Sequence, residues 1–366
     1  MNDSQAIDLL EELVRTPSVS RNETRASELL VKRMATLGFD AEVDEAGNAV
    51  GRIGDHGPRI VLLGHIDTVP GEVPVRREGG KLFGRGTVDA KGPLAAFVSG
   101  AVRAYASDNL ACRVEVVGCV EEEVSSSKGA RFRSLGPAPD ACINCEPSGW
   151  QGVTLGYKGY LKAKLELAIP ITHTAGRADG VGARTCRAFV AIEDAASRFN
   201  ADRGRLYDKL FAHLDNVTIH DNGLEERGVL EIRLRLPEDL GPLAAAQFLA
   251  EVLPDWTLST EGGLAAWSSG RTDPVARLLG RAIGRSGGRP RFLRKTGTSD
   301  LNVVGPIWNC PIVAYGPGDS SLDHTPNEHI EIEEYLAGIR VLTGFLTDPN
   351  LASLARATPS EYRPAT

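Results

Sequence analysis

The stretch GCVEEEVSSSKGA, Gly118 to Ala130, sets three consecutive glutamates directly behind an apolar run that reads as the end of a buried strand. Like carboxylates a few ångströms apart in a poorly solvated place repel one another, and a proton or a cation must relieve them. A fold that delivers Glu121, Glu122 and Glu123 to such a strand end must therefore also deliver a counter-charge.

The surrounding pattern says what kind of fold does so. Up to about residue 155, amphipathic helical segments such as DSQAIDLLEELVR and NETRASELLVKRMATLGF alternate with short apolar runs of buried-strand length, RIVLLGHID, CRVEVVGCV and ACINC. Such alternation predicts an α/β fold, a mostly parallel sheet with helices on both faces. From about 156 the texture changes to half-buried strands, GYKGYLKAKLELAI and GVLEIRLRLP, interleaved with two helices, which suggests a smaller α+β domain. The first texture returns after about 265. The expected division is therefore residues 1–155 and 266–366 as one domain, with 156–265 inserted into it; a chain of 366 residues is long enough for two cores.

Composition narrows the function classes. A formal net charge of −7 argues against broad nucleic-acid or anionic-membrane binding. No apolar run approaches the roughly 18–20 residues that span a bilayer, and the opening MNDSQAIDLLEEL is an acidic amphipathic helix rather than a signal peptide. A cytoplasmic protein is expected, which suits six scattered cysteines. Cys142 and Cys145 form a CxxC with no second pair to complete a metal site, and read as small residues of a buried strand.

In open α/β sheets, ligands bind outside the carboxyl ends of the strands. Read to those ends, the apolar runs deliver His65 and Asp67, Glu121 to Glu123, Glu146, and, after PIVAYGPG, Asp323 and His324; Asp89 sits in the Gly-rich loop GRGTVDAKG before a helix. One histidine near a strand is usually an ordinary polar residue, and an acidic run is usually a solvated face. Four strand ends that all give His or acid require a cation to offset their charge. A mixed N/O donor set without thiolate favours zinc, cobalt or manganese over an iron–sulfur cluster or calcium. Five candidate ligands are too many for a single tetrahedral catalytic zinc with an open position, so two metals with one bridging carboxylate are expected. Asp67, two residues after His65, is placed to accept the imidazole's second N–H, and one of the adjacent glutamates is left to take a proton from water.

The motifs GHIDTVP, GRGTVDAKGP, EEEVSSSKGA, CEPSGW and LDHTPNEHI occur in the order and spacing of the dinuclear zinc aminoacylase/carboxypeptidase family, which includes acetylornithine deacetylase and succinyl-diaminopimelate desuccinylase. The chain resembles that family over nearly its whole length. The resemblance implies His65, Asp89 and Glu146 on one metal and Asp89, Glu123 and His324 on the other, with Asp89 bridging, Glu122 as general base and Asp67 behind His65. Strict strand alternation would instead put Glu121 and Glu123 on one face, so this register needs the strand to end near Glu122. The family's non-proline cis peptide would fall at Asp89–Ala90. His173 matches the family's lid histidine, a donor to the oxyanion that is often supplied by the partner subunit, and the inserted domain matches its lid and dimerisation domain. A homodimer with two divalent ions, Zn2+ first and Co2+ second, is implied.

Within the family, GRGTVDAKGPLAAF, GYKG and KTGTSDLN look most like the branch that releases lysine or ornithine from the γ-carboxyl of a glutamate on a small acidic amino-group carrier protein, in lysine or arginine biosynthesis. Arg235, Arg294 and Lys295 are the candidate substrate-binding residues, since Arg is geometrically suited to carboxylates. An acidic partner would want a basic rim, for which Arg291, Lys158 and Lys162 are further candidates. The rival readings are an N-acetyl-ornithine or N-acetyl-lysine deacetylase or a dipeptidase of the same chemistry and, more distantly, a non-catalytic binding protein on this fold.

Overall fold

The computed structural model describes residues 1–171 and 179–355, so His173 lies outside the described residues. In chain order the elements are α1 (Asp3–Val14), α2 (Thr24–Thr36), β1 (Asp40–Val43), β2 (Ala49–Ile53), β3 (Arg59–His65), β4 (Arg76–Glu78), β5 (Lys81–Phe83), α3 (Lys91–Ala106), β6 (Arg113–Cys119), α4 (Lys128–Ser134), β7 (Ala141–Cys145) and β8 (Gly152–Tyr157). They continue as β9 (Gly159–Pro170), α5 (Val181–Phe199), β10 (Phe211–Asp221), β11 (Glu225–Leu236), α6 (Pro242–Val252), β12 (Thr257–Leu264), β13 (Trp267–Ser268), α7 (Pro274–Arg285), β14 (Arg291–Lys295), α8 (Leu301–Trp308), β15 (Ile312–Tyr315), β16 (His329–Glu331) and α9 (Ile332–Leu346).

The chain forms two compact units. The first holds Met1–Gly156, Ser268–Leu293 and the segment from Val303 onward; the second holds Tyr157–Trp267 and Arg294–Asn302. The segment Arg294–Asn302, expected in the first unit, clusters with the second because its polar side chains hydrogen-bond there. Thr298 Oγ1 donates to the Lys158 carbonyl at 3.0 Å, and Asn302 Nδ2 donates to the carbonyls of Lys158 at 3.2 Å and Ala265 at 2.9 Å.

In the large sheet the strand order is β1-β2-β6-β3-β7-β15-β8-β13, with β14 beside β8. Its middle is parallel: β3 runs parallel to β6 and β7, and β7 to β15. Strands β1 and β2 add an antiparallel edge beside β6. The central strands are buried and mainly apolar because a parallel sheet is covered on both faces, with Glu115 of β6 and Asn144 of β7 as buried polar residues among them. The β3–β6 register pairs His65 with Cys119, so the two strands end level and their following residues emerge side by side. Gly64 permits this close packing, since a Cβ there would lie 2.6 Å from Cys145 Cβ.

Helix α1 is held at its start by a capping box, in which Asn2 Oδ1 accepts from Gln5 N and Gln5 Oε1 accepts from Asn2 N. Asn2 therefore caps the helix, and Asp3 occupies its first turn. Helix α3 is buried nearly all round and begins immediately after Asp89 and Ala90, so the apolar interior anchors the loop that carries Asp89. The buried Lys91 adds a tie, its Nζ donating to the carbonyls of Leu13 at 3.1 Å and Thr16 at 2.7 Å.

The second unit has a four-stranded antiparallel sheet of order β10-β11-β9-β12. Leu161, Leu165, Leu230 and Ile232 of its strands meet Ile192 of α5 and Leu249 of α6 in a separate core. Strands β9 and β11 alternate buried and open positions, as their sequences indicate. Strands β10 and β12 are edges, largely exposed along their length, and so lack the alternation that would announce them.

Candidate metal centre

Four loops, after β3, after β6, before α3 and between β15 and β16, bring the central residues together. Strand β6 ends at Cys119, and Glu121 takes a left-handed conformation with φ 60°, which breaks strand alternation before the second and third glutamates. The triplet's backbone is then fixed by buried carboxylates. Glu121 N donates to Glu23 Oε1 at 3.2 Å, Glu122 N to Asp67 Oδ1 at 3.1 Å and Glu123 N to Asp67 Oδ2 at 3.1 Å. Ser20 Oγ also donates to Asp67 Oδ2, at 2.7 Å. Glu23 and Ser20 escaped the sequence reading because they lie about 100 residues upstream, in a loop with no histidine or paired acid.

Asp67 thus does more than expected of it. His65 Nδ1 lies 3.1 Å from the Asp67 backbone carbonyl and 3.5 Å from its Oδ1, so the main chain accepts the closer bond from the ring. Its carboxylate, fully buried, is spent chiefly on the amides of Glu122 and Glu123. One aspartate fixes both the imidazole and the glutamate loop.

At the centre, Asp89 presents its two oxygens to two imidazoles. Oδ1 lies 3.1 Å from His65 Nε2, and Oδ2 lies 3.0 Å from His324 Nε2. His324 Nε2 is also 3.1 Å from Glu123 Oε1. Ligand atoms of His65, Asp89 and Glu123 all lie within 4.8 Å of one another. Glu146 stands one residue past the end of β7, buried, with Asn144 Nδ2 donating to its Oε1 at 3.4 Å; it is not part of that compact trio. The peptide bond between Asp89 and Ala90 is cis.

Electrostatics follow from this crowding. Burial alone would push the His65 imidazole down, but the charge of Glu122 and the carboxylates of Asp67 and Asp89 hold it well above its ordinary value. Hydrogen bonds to Asp89 and Glu123 lift His324 to about 10. Burial opposes ionisation of Asp89, yet the two imidazoles hold its carboxyl below the usual carboxylate range. Burial, and then the charge on Asp89, push Glu123 up. In the absence of a cation, protons on His65 and His324 supply the counter-charge. The donor set of imidazole nitrogens and carboxylate oxygens, with a carboxylate open to both sides, fits a pair of divalent ions such as Zn2+.

The candidate substrate residues lie in the second unit. Arg235 Nη1 donates to Thr298 Oγ1 at 2.9 Å, and the Arg294 guanidinium sits 5.0 Å from the Tyr207 ring centre and 4.0 Å from Glu238. Lys295 ends β14. Two of the lysines suggested for a basic rim are otherwise engaged. Lys158 is buried, with Nζ donating to the carbonyls of Leu206 and Lys209, and Lys162 pairs with Glu261 at 3.4 Å. Burial lowers the Lys158 ammonium to about 8.

Protons and metal compete for the same nitrogens, so the pH dependence has a definite sign. Below pH about 10 the metal-free protein carries a proton on His324 that metal binding must release. Apparent Zn2+ affinity is therefore expected to rise by about tenfold per pH unit for each proton released, read by calorimetric titration between roughly pH 6 and 9 in two buffers of different ionisation enthalpy. An affinity independent of pH, with no proton release, would remove the imidazoles from the ligand set.

Residues 61–348 match the profile of peptidase family M20/M25/M40. The chain is 41% identical over 353 residues to a LysW-lysine hydrolase of Deinococcus radiodurans, covering 94% of this chain and 97% of that one. It is 36% identical over 365 residues to a putative LysW-lysine/LysW-ornithine hydrolase of Thermococcus kodakarensis, covering 100% of this chain and 98% of that one. Among solved structures, a tripeptidase of Staphylococcus aureus superposes with a TM-score of 0.78 at 18% identity, over 96% of this chain and 99% of that one. A dinuclear metal-binding M20 peptidase of Bacillus subtilis superposes with a TM-score of 0.68 at 12% identity, over 94% and 97%. The chain belongs to peptidase family M20/M25/M40.

Proposed function

We propose that this protein is a dinuclear metal-dependent amidohydrolase that releases lysine, and by its family branch ornithine, from the γ-carboxyl of a glutamate on a small acidic amino-group carrier protein. The observation that carries the chemistry is the Asp89 carboxylate facing His65 on one side and His324 on the other. The substrate class rests on the identity shared with the Deinococcus hydrolase over nearly the full length of both chains.

His65, Asp89 and Glu146 would hold one ion, and Asp89, Glu123 and His324 the other. Two divalent ions there, zinc or cobalt, would polarise the scissile carbonyl and acidify a water. Glu122 takes the proton of the attacking water and delivers it to the amine nitrogen as the C–N bond breaks, leaving the γ-carboxylate on the carrier. Asp67 serves this step by fixing the Glu122 and Glu123 amides, so that base and ligand keep separate directions from one short loop. His173 is the proposed donor to the oxyanion, within one chain or across a homodimer. Arg235, Arg294 and Lys295 are the proposed contacts to the carrier-borne carboxylates, a role suited to guanidinium forks.

Assays of amine release from a lysine-charged carrier protein and from N-acetyl-lysine, run side by side, test the substrate. The charged carrier is expected to be cleaved with the higher kcat/KM; faster cleavage of N-acetyl-lysine would favour a deacetylase. Glu122→Gln is expected to lower kcat by about 10²–10⁴-fold while two ions remain bound. Loss of an ion from this variant would show that Glu122 is a ligand and Glu123 the base.

A further inference from the structure

Glu328 lies four residues after His324, outside the trio at the centre, and is completely buried. An isolated buried carboxylate is strongly disfavoured, so its partners must compensate. Oε1 accepts three backbone amides of the loop that leads into α3: Gly86 N at 2.9 Å, Val88 N at 3.0 Å and Asp89 N at 3.2 Å. Oε2 accepts from Arg85 Nη1 at 2.6 Å. Strand pairing sets this up, because β16 runs antiparallel to β5 with His329 opposite Phe83, and Gly84 N donates to the Glu328 carbonyl at 3.2 Å. Arg85 also donates to the Thr325 carbonyl at 3.3 Å, next to His324.

We propose that Glu328 is a positioning residue for the metal centre: through three amides it fixes the Gly86–Asp89 turn, and thereby sets the direction in which Asp89 offers its oxygens to His65 and His324. The same segment carries His324 at one end and this carboxylate at the other. Glu328 therefore ties together the loops that bear the bridging carboxylate and the second imidazole. A clip of this kind matters most for a bridging ligand, whose two oxygens must point correctly at once. The proposal rests on the reading of the cluster as a two-ion site.

The test compares the wild-type protein with Glu328→Gln, which keeps shape and removes the charge, and with Arg85→Lys, which keeps the cation. Two readouts are taken. Hydrogen exchange across residues 84–90 is measured on metal-free protein, and Zn2+ titration of each protein gives stoichiometry and the affinity of the weaker ion. Glu328→Gln is expected to speed exchange across 84–90 and to weaken the second ion by about 10–100-fold, with kcat falling and KM little changed. Arg85→Lys should leave the second ion within a few-fold of wild type, since the full carboxylate charge still strengthens the bonds to the three amides, which the neutral oxygen of Glu328→Gln would hold only weakly. A wild-type protein that binds two ions while Glu328→Gln binds both equally well, with unchanged exchange, would overturn the positioning role alone. Equal weakening in both variants would assign the effect to the ion pair and overturn the amide clip. A wild-type protein that binds no divalent ion would overturn the two-ion reading itself, and the proposal with it.

Discussion

Charge crowding at the carboxyl end of a parallel sheet is the constraint on which this structure depends. Carboxylates of Glu23, Asp67, Asp89, Glu123 and Glu328 are gathered at its loops and imidazoles, and a protein interior gives them little solvent to relieve their repulsion. They divide into two groups by what they touch. Glu23, Asp67 and Glu328 accept backbone amides of the loops that carry the central residues. Asp89 and Glu123 face imidazole nitrogens. The first group is satisfied by the chain itself and so shapes the loops whether or not a cation is bound; the second is left with charge that protons or metal must balance.

That division explains how one short loop supports two different tasks. The amides of Glu122 and Glu123 both end on Asp67, whose own main chain accepts from His65. A shift of Asp67 would therefore move an imidazole and two glutamates together. Backbone anchoring of this kind is stiffer than side-chain contact, because it leaves only the terminal torsions of the glutamates to adjust. Buried lysines use the same economy in reverse. Lys91 in the first unit and Lys158 in the second each spend their ammonium on main-chain carbonyls, tying loops rather than presenting charge.

The parallel core was legible because β3, β6 and β7 are short, mainly apolar runs that lead to His65, the glutamate triplet and Glu146. The second unit was legible only in part. Strands β9 and β11 bury alternate residues and show it, whereas β10 and β12 are exposed edges whose polar sequences carry no period. The placement of residues 294–302 depended on side-chain hydrogen bonds to Lys158 and Ala265, which no local pattern encodes. The supporting acids Glu23 and Glu328 were invisible for a similar reason. Their partners are backbone amides far along the chain, and an amide looks the same at every position of a sequence. The turn at Glu121 breaks the strand alternation that the sequence pattern implies there, and a left-handed glutamate has no sequence signal of its own.

The most direct test of the account is where metal sits. Anomalous diffraction from crystals grown with Zn2+ or Co2+ should show two peaks about 3.5–4 Å apart, one on each side of the Asp89 carboxylate, with His65 bound to one ion and His324 to the other. A single peak, or peaks remote from Asp89, would contradict it.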